Sequence, residues 1–218
     1  MQLDLSLQAL MTHGGVILLI LLLASLWSWF IIVERWLAFG RAEKGSERLG
    51  HRVAKLARAG QIADARELAQ TEEGCVGQLM LAGLAHGSRD KAVLEEALER
   101  KQAEELMGLE HNLGTLGTLG SVAPYVGLFG TVLGIIRSFQ SLGQGGADAA
   151  GAAMVSAGIA ESLVATAAGL AVAVPAVILF NAYSRRLTVL ETRMALGASE
   201  LVEALSDKAR KGAGDAEA

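Results

Sequence analysis

Apolar residues in this chain gather in three long blocks. Leu5–Val33 and His111–Ile136 contain no Asp, Glu, Lys or Arg, and Ala149–Ser184 contains one, Glu161. Each block holds the ~20 apolar residues that a helix needs to cross the hydrocarbon layer of a bilayer. The pattern predicts spans at 14–34, 112–139 and 157–181. The fold class that follows is all-α: an integral membrane protein with three transmembrane helices, two of them extended into the cytoplasm, plus cytoplasmic helices.

Between the first two blocks the pattern shortens to a helical period. Segment 35–111 is rich in Ala, Leu, Glu, Arg and Lys and has no proline, a composition that favours helix. It predicts helices at Ala42–Ala59, Ile62–Gln70 and Val76–Ala85, then a long helix capped by Asp90 with Leu94 and Leu98 on its apolar stripe. No firm breaker separates that last helix from span two, and span three runs on through Arg185–Leu205. Two long helices are therefore expected to project into the cytoplasm at 1.5 Å per residue. Residues 1–13, with Leu3, Leu7 and Leu10 at helical spacing, are expected to form an outer, amphipathic segment. Segment 140–156 is expected to be the hairpin between spans two and three. Segment 182–218 is expected to be a cytoplasmic helix with a disordered end.

Charge sets the expected orientation. Of the 19 Lys and Arg, all but Arg137 lie in 35–111 or after residue 184. Basic residues stay on the cytoplasmic side, so the N-terminus is expected in the periplasm and the C-terminus in the cytoplasm. No basic residue precedes Arg35, which reads as a retained span and not a signal peptide. Trp36 beside Arg35 suits an interface anchor. The formal net charge of −4 does not suggest a nucleic-acid partner. Cys75 is the one cysteine and reads as a small packing residue. His13, His51, His86 and His111 are scattered without ligand spacing. No metal, cofactor or enzymatic residue set is expected.

Glu161 then stands out. A carboxylate inside a span costs ~2.5–3.5 kcal/mol on insertion scales, and intramembrane acids mark ion paths, proton relays or charged partners. Ser162 and Thr166 share its polar sector, and Ala165 and Gly169 continue it as small residues. In span two, Gly117, Gly120, Pro124, Gly127, Thr131, Gly134, Ser138 and Ser141 alternate spacings of three and four, which places them on one face. Small residues let helix backbones approach closely, so Gly127 and Gly134 read as packing positions. Thr131 either bonds its own helix or lines a polar path. Pro124 and Pro175 each remove a backbone donor and can free a carbonyl.

Two stretches carry a resemblance. Ser121–Phe139 (SVAPYVGLFGTVLGIIRSF) and Gly158–Asn181 (GIAESLVATAAGLAVAVPAVILFN) resemble the second- and third-span signatures of the TolQ/ExbB/MotA proton-channel family, in order and orientation. Thr131, Glu161 and Thr166 fall on that family's polar pore positions. Ser162 departs from the more usual alanine and adds a hydroxyl. The resemblance implies a homo-oligomer, a five-fold ring, in a bacterial inner membrane. It also implies two copies of a single-span TolR/ExbD-like partner inside the ring, whose aspartate is the main proton carrier. Ion flow would then drive rotation, with force passed to the periplasm through a TonB/TolA-like envelope protein. Length and three spans favour the TolQ/ExbB side over the four-span MotA side.

Other readings stay open at this level. One is a non-conducting membrane scaffold in which Glu161 pairs with a partner helix. Others are a gliding-motility relative and a sodium-driven variant, the latter because Ser162 adds an oxygen ligand. A small-substrate transporter fits less well, since three spans without a repeat are few for one.

Overall fold

The computed structural model describes residues 15–45, 48–86, 91–145 and 149–214. Among these the chain is helical without strands. The helices are α1 (Gly15–Ala42), α2 (Leu49–Arg58), α3 (Ile62–Thr71), α4 (Cys75–His86), α5 (Lys91–Glu110), α6 (Leu113–Gly145) and α7 (Ala149–Gly214). Three helical runs, containing α1, α6 and α7, are long and apolar enough to cross a membrane. The expected 1–13 segment and the Asp90 cap lie outside the described residues.

The chain divides into two compact units. Unit 1 comprises 1–33 and 112–182, and unit 2 comprises 34–111 and 183–218. Unit 1 is built inside out relative to a soluble domain. Large apolar side chains such as Phe30 on α1, Phe129 on α6 and Ile178 on α7 are exposed, whereas Ala123, Thr131, Ser162, Ala165 and Ala173 are buried. Lipid is as apolar as leucine, so helices there associate through close backbone packing of small residues. α1 contributes Ile17 and Leu21, which pack with Ala123, Val172 and Ala173. Pro124 and Pro175 lie inside uninterrupted helices.

Unit 2 is a helical cluster. α2 packs on α3 and α4, and α4 packs on α3 and α5. The end of α7 enters this cluster with Met194, Leu201 and Ala204, all fully buried. Where α2 meets α7, a Cβ on Gly50 would lie 2.8 Å from the Gly197 Cα, so only glycine fits without a shift. Phe39 stacks on Tyr183 at 5.3 Å, and the Arg186 guanidinium lies over Phe39 while it grips Glu43 with bonds of 2.9 and 2.7 Å. Cys75 is buried, as a packing residue should be, and its Sγ donates to Glu105 at 3.5 Å. Burial, with the Glu105 charge beside it, pushes the thiol up to about 12, so it stays protonated and unreactive near neutral pH.

Four boundaries differ from the sequence-based expectations. The predicted helix over Ala42–Ala59 is broken. α1 runs on to Ala42, and the chain turns through Gly45 at φ 121° before α2 starts at Leu49. Gly45 is the physical reason, because its φ is far from helical and suits a glycine; the Gly74 backbone lies against the Lys44 and Ala42 carbonyl oxygens with no room for a Cβ, and Lys44 pairs with Glu73 at 3.0 Å. The expected continuous helix into span two is also interrupted, by a turn at His111–Asn112. Asn112 has φ 63°, a left-handed conformation that asparagine tolerates better than most residues. Its carbonyl then accepts from Leu116 N and starts α6. The hairpin is shorter than 140–156, because α6 continues to Gly145 and α7 starts at Ala149. Finally, helix α7 extends to Gly214, into the segment expected to be disordered; residues 215–218 lie outside the described residues.

Arg35 secures the end of α5. It is 4 % exposed, pairs with Glu34, and its Nη1 donates to the carbonyls of Gly108 (3.1 Å) and Leu109 (2.9 Å). The last carbonyls of a helix have no partner within it, and a cation there also suits the helix dipole. Arg35→Gln is too short to reach both, so it should cost about 1.5–3 kcal/mol, the usual worth of hydrogen bonds to a charged group. The checks are thermal unfolding in detergent and amide hydrogen exchange around Leu109–Leu116. Unchanged exchange there would show that the turn holds without Arg35.

Candidate functional site

α6 and α7 form an antiparallel pair whose register is set by glycines. Gly134 lies against Ser162, and Gly158 against Ser138. Deeper along the pair, a Cβ on Gly127 would fall 2.7 Å from the Ala165 carbonyl oxygen and 3.2 Å from the Gly169 Cα. Every one of these positions except Gly158 was singled out by the sequence pattern, Ser138 as a member of the span-two stripe and the others as candidate site residues. Gly130 was not. Its Cβ would meet Ala165 at 2.8 Å and Ile17 at 3.1 Å, so it sits where α1, α6 and α7 converge.

The polar groups fall into two adjoining levels. At the first, Thr131 is buried and donates to its own Leu128 carbonyl at 2.7 Å. Thr166 donates to Thr131 Oγ1 in a long 3.5 Å bond. The two threonines thus meet across the α6–α7 contact, although they are 35 residues apart in sequence. At the second level lies an open groove of about 300 Å³. Glu161 lines it together with Ser162, Ser138, Ser141 and Arg137. Ser162 is buried and donates to the Ile159 carbonyl at 2.8 Å; Ser138 donates to Gly134 O and Ser141 to Arg137 O. Glu161 itself is exposed on the subunit surface.

Within one subunit, then, the predicted polar sector is divided. Thr131 and Thr166 touch, Glu161 and Ser162 share the groove, and the threonine pair does not line it. The hydroxyls of Thr131, Ser138, Ser141 and Ser162 donate to carbonyls of their own helices, which leaves oxygen lone pairs to accept from a further donor. Pro124 and Pro175 are half-buried and lie outside the groove lining. Among the described residues there is no group of three or more His, Cys, Asp or Glu able to hold a metal ion.

Fold and site together define a multi-pass membrane protein with two small-residue helices that hold an acid-bearing polar groove. The comparisons with known proteins carry the assignment further. Residues 71–195 match the model of the MotA/TolQ/ExbB proton channel family. The chain is 33% identical to the biopolymer transport protein ExbB of Salmonella typhimurium over 86% of its own length and 81% of that protein's. It is 37% identical to the Tol-Pal system protein TolQ of Pseudomonas aeruginosa over 88% of its length and 87% of that protein's. It is 34% identical to the biopolymer transport protein ExbB of Pseudomonas putida over 78% of its length, and there it spans only 53% of the relative. The chain belongs to the MotA/TolQ/ExbB proton channel family.

Proposed function

We propose that this chain is the ion-path subunit of an inner-membrane complex that converts the proton-motive force into force on the cell envelope. The observation that carries the reading is Glu161: a carboxylate on a membrane-spanning helix, set in a groove lined by hydroxyls. An acid in that position is costly for a mere anchor. Thr131, Thr166 and Ser162 supply oxygens along the same helix pair. Family membership supports proton as the ion, and one charge crossing 100 mV yields ~2.3 kcal/mol, a useful quantum of work.

In this reading the N-terminus is periplasmic and the C-terminus cytoplasmic, in accord with the Lys and Arg distribution. The subunit forms a homopentamer around two copies of a single-span TolR/ExbD-like partner. The exposed position of Glu161 on the subunit surface suits an acid that meets such a helix. Relatives named ExbB and TolQ match at similar identity, so the receiving envelope protein, TonB-like or TolA-like, is left to the genes encoded beside this one.

Unit 1 offers an acid but no second titratable carrier among its described residues, so conduction should need the partner's own acid. Subunit reconstituted alone in proteoliposomes should pass protons at the background leak under an imposed potential, as read by a pH-sensitive dye. Subunit with a TolR/ExbD-like partner should pass them well above it. Equal flux in the two preparations would contradict the shared path.

A further inference from the structure

Unit 1 carries a second polar face, separate from the groove and from the threonine pair. Thr118, Ser121 and Tyr125 are exposed on α6, and Asn181 is exposed on α7. α1 covers Ala123 and Val172. At ~100° per residue, Thr118, Ser121 and Tyr125 point away from Ala123, and Asn181 points away from Val172. The four side chains therefore share the side of the α6–α7 pair turned away from α1. The Gly117–Phe180 contact sets Asn181 level with Leu116. Tyr125 stands near the middle of the charge-free block His111–Ile136. It is 70 % exposed, and among the described residues neither its hydroxyl nor the Asn181 carboxamide has a hydrogen-bond partner. Thr118 donates to Gly114 O at 2.8 Å and Ser121 to Gly117 O at 3.1 Å, so their oxygens keep lone pairs for a further donor. Further along α6 the same side turns apolar, with Val132, Ile136 and Phe139 exposed.

Lipid tails offer no hydrogen bond to a phenol or a carboxamide, and an unmet polar group in the hydrocarbon is costly. This part of the face therefore meets water or another polar surface. A close-packed neighbouring helix would need small residues, whereas Tyr125 projects from the face and holds a neighbour off. We propose that the face lines a file of water molecules, positioned by Thr118, Ser121, Tyr125 and Asn181, through which protons leave the Thr131–Thr166 level toward the Leu113 end of α6. The spacing suits this role. Tyr125, Ser121 and Thr118 are separated by ~6 and ~4.5 Å of helix rise. One water spans about that distance, because it bonds on two sides at ~2.8 Å each. The file starts ~9 Å along α6 from Thr131, about three hydrogen-bonded steps of ~2.8 Å. Protons pass along the waters, and each of the four side chains keeps its own charge while it orients them. In the orientation proposed above, the Leu113 end is the cytoplasmic one. The transport half of the inference deepens the proton-path reading and rests on it, whereas the hydration of the face does not.

The test has two arms, both on the complete complex with its TolR/ExbD-like partner in vesicles. In the first, Ser121→Cys and Tyr125→Cys are treated from both sides with a cationic methanethiosulfonate, which reacts only with a hydrated thiol. Wild type is the blank, since Cys75 is buried, and Leu23→Cys on the exposed apolar side of α1 is the lipid control. Labelling of Ser121→Cys and Tyr125→Cys, but not of Leu23→Cys, is expected. Protection of either one at the level of Leu23→Cys would overturn the inference and assign the face to a dry contact with a neighbouring copy or a partner helix. In the second arm, proton flux is compared at equal amounts of assembled ring. Tyr125→Phe removes one exposed oxygen and should lower flux about three- to tenfold, the rate equivalent of one hydrogen bond. Tyr125→Gln restores a hydrogen-bonding end and should recover most of the loss. Unchanged flux in Tyr125→Phe beside a loss in Glu161→Gln would overturn the role of Tyr125. Equal losses in Tyr125→Phe and Tyr125→Gln would overturn it too, because they mark a packing role. If the thiols label while flux is indifferent to both Tyr125→Phe and Glu161→Gln, the wet face stands and the proton-path reading fails.

Discussion

Glu161→Gln or Glu161→Ala is expected to abolish the activity of the complex while the subunit still folds and assembles. The two halves of this expectation have different physical sources. Glu161 is exposed on the subunit and makes no packing contribution that a glutamine of the same shape would lose. Its removal even relieves the cost of a carboxylate in lipid, ~2.5–3.5 kcal/mol on insertion scales. Activity, in contrast, loses the one acid of the groove. Thr131→Val and Thr166→Val should act more mildly on transport, because a hydroxyl can be replaced by water in a wet path. Complementation of a deletion strain, read beside the membrane level of each variant, separates the cases. A fully active Glu161→Ala strain would reduce the acid to a structural or scaffold role.

Gly127→Ala is expected to act on the fold instead and lower its stability. Its new methyl would sit 2.7 Å from the Ala165 carbonyl oxygen and 3.0 Å from the Thr166 Cα. Both are backbone atoms, so no side chain can swing aside and the helices must separate. Gly169 has the reciprocal problem, 2.6 Å from the Ala123 carbonyl oxygen. Overpacking of this kind costs ~1–3 kcal/mol, and Gly127→Leu should exceed that range. Separation would also part Thr131 from Thr166, which face each other across the same contact. Gly143→Ala is the control on the same helix. Nothing lies within 4 Å of its Cβ position, and alanine is the better helix former by ~1 kcal/mol. Thermal unfolding in detergent should rank Gly127→Ala below wild type and Gly143→Ala at or above it. Equal midpoints for all three would mean that the α6–α7 contact is looser than its geometry implies.

What could be read from residues alone follows from how local the physics is. Glu161 was visible because a charge within an apolar block is expensive wherever the helix packs. The stripe from Gly117 to Ser141 was visible because a three-and-four spacing defines a helix face without knowledge of the neighbour. Gly130 escaped for the same reason: it lies off that stripe and is explained by α1, whose Ile17 reaches it from a distant part of the chain. Arg35 was read as an interface charge, yet its guanidinium closes a helix end 73 and 74 residues away. Asn112 sits in a run that favours helix, and one left-handed residue suffices to interrupt it. Arg137 was counted as the lone basic residue of the hairpin region.

The central claim is that protons cross by way of Glu161. Its most direct test is proton flux through vesicles that hold the complete complex, with partner, under an imposed membrane potential. Wild-type and Glu161→Gln complexes would be compared at equal amounts of assembled ring. The account predicts flux well above leak for wild type and flux at the leak level for Glu161→Gln. Undiminished flux in the Glu161→Gln complex would contradict it.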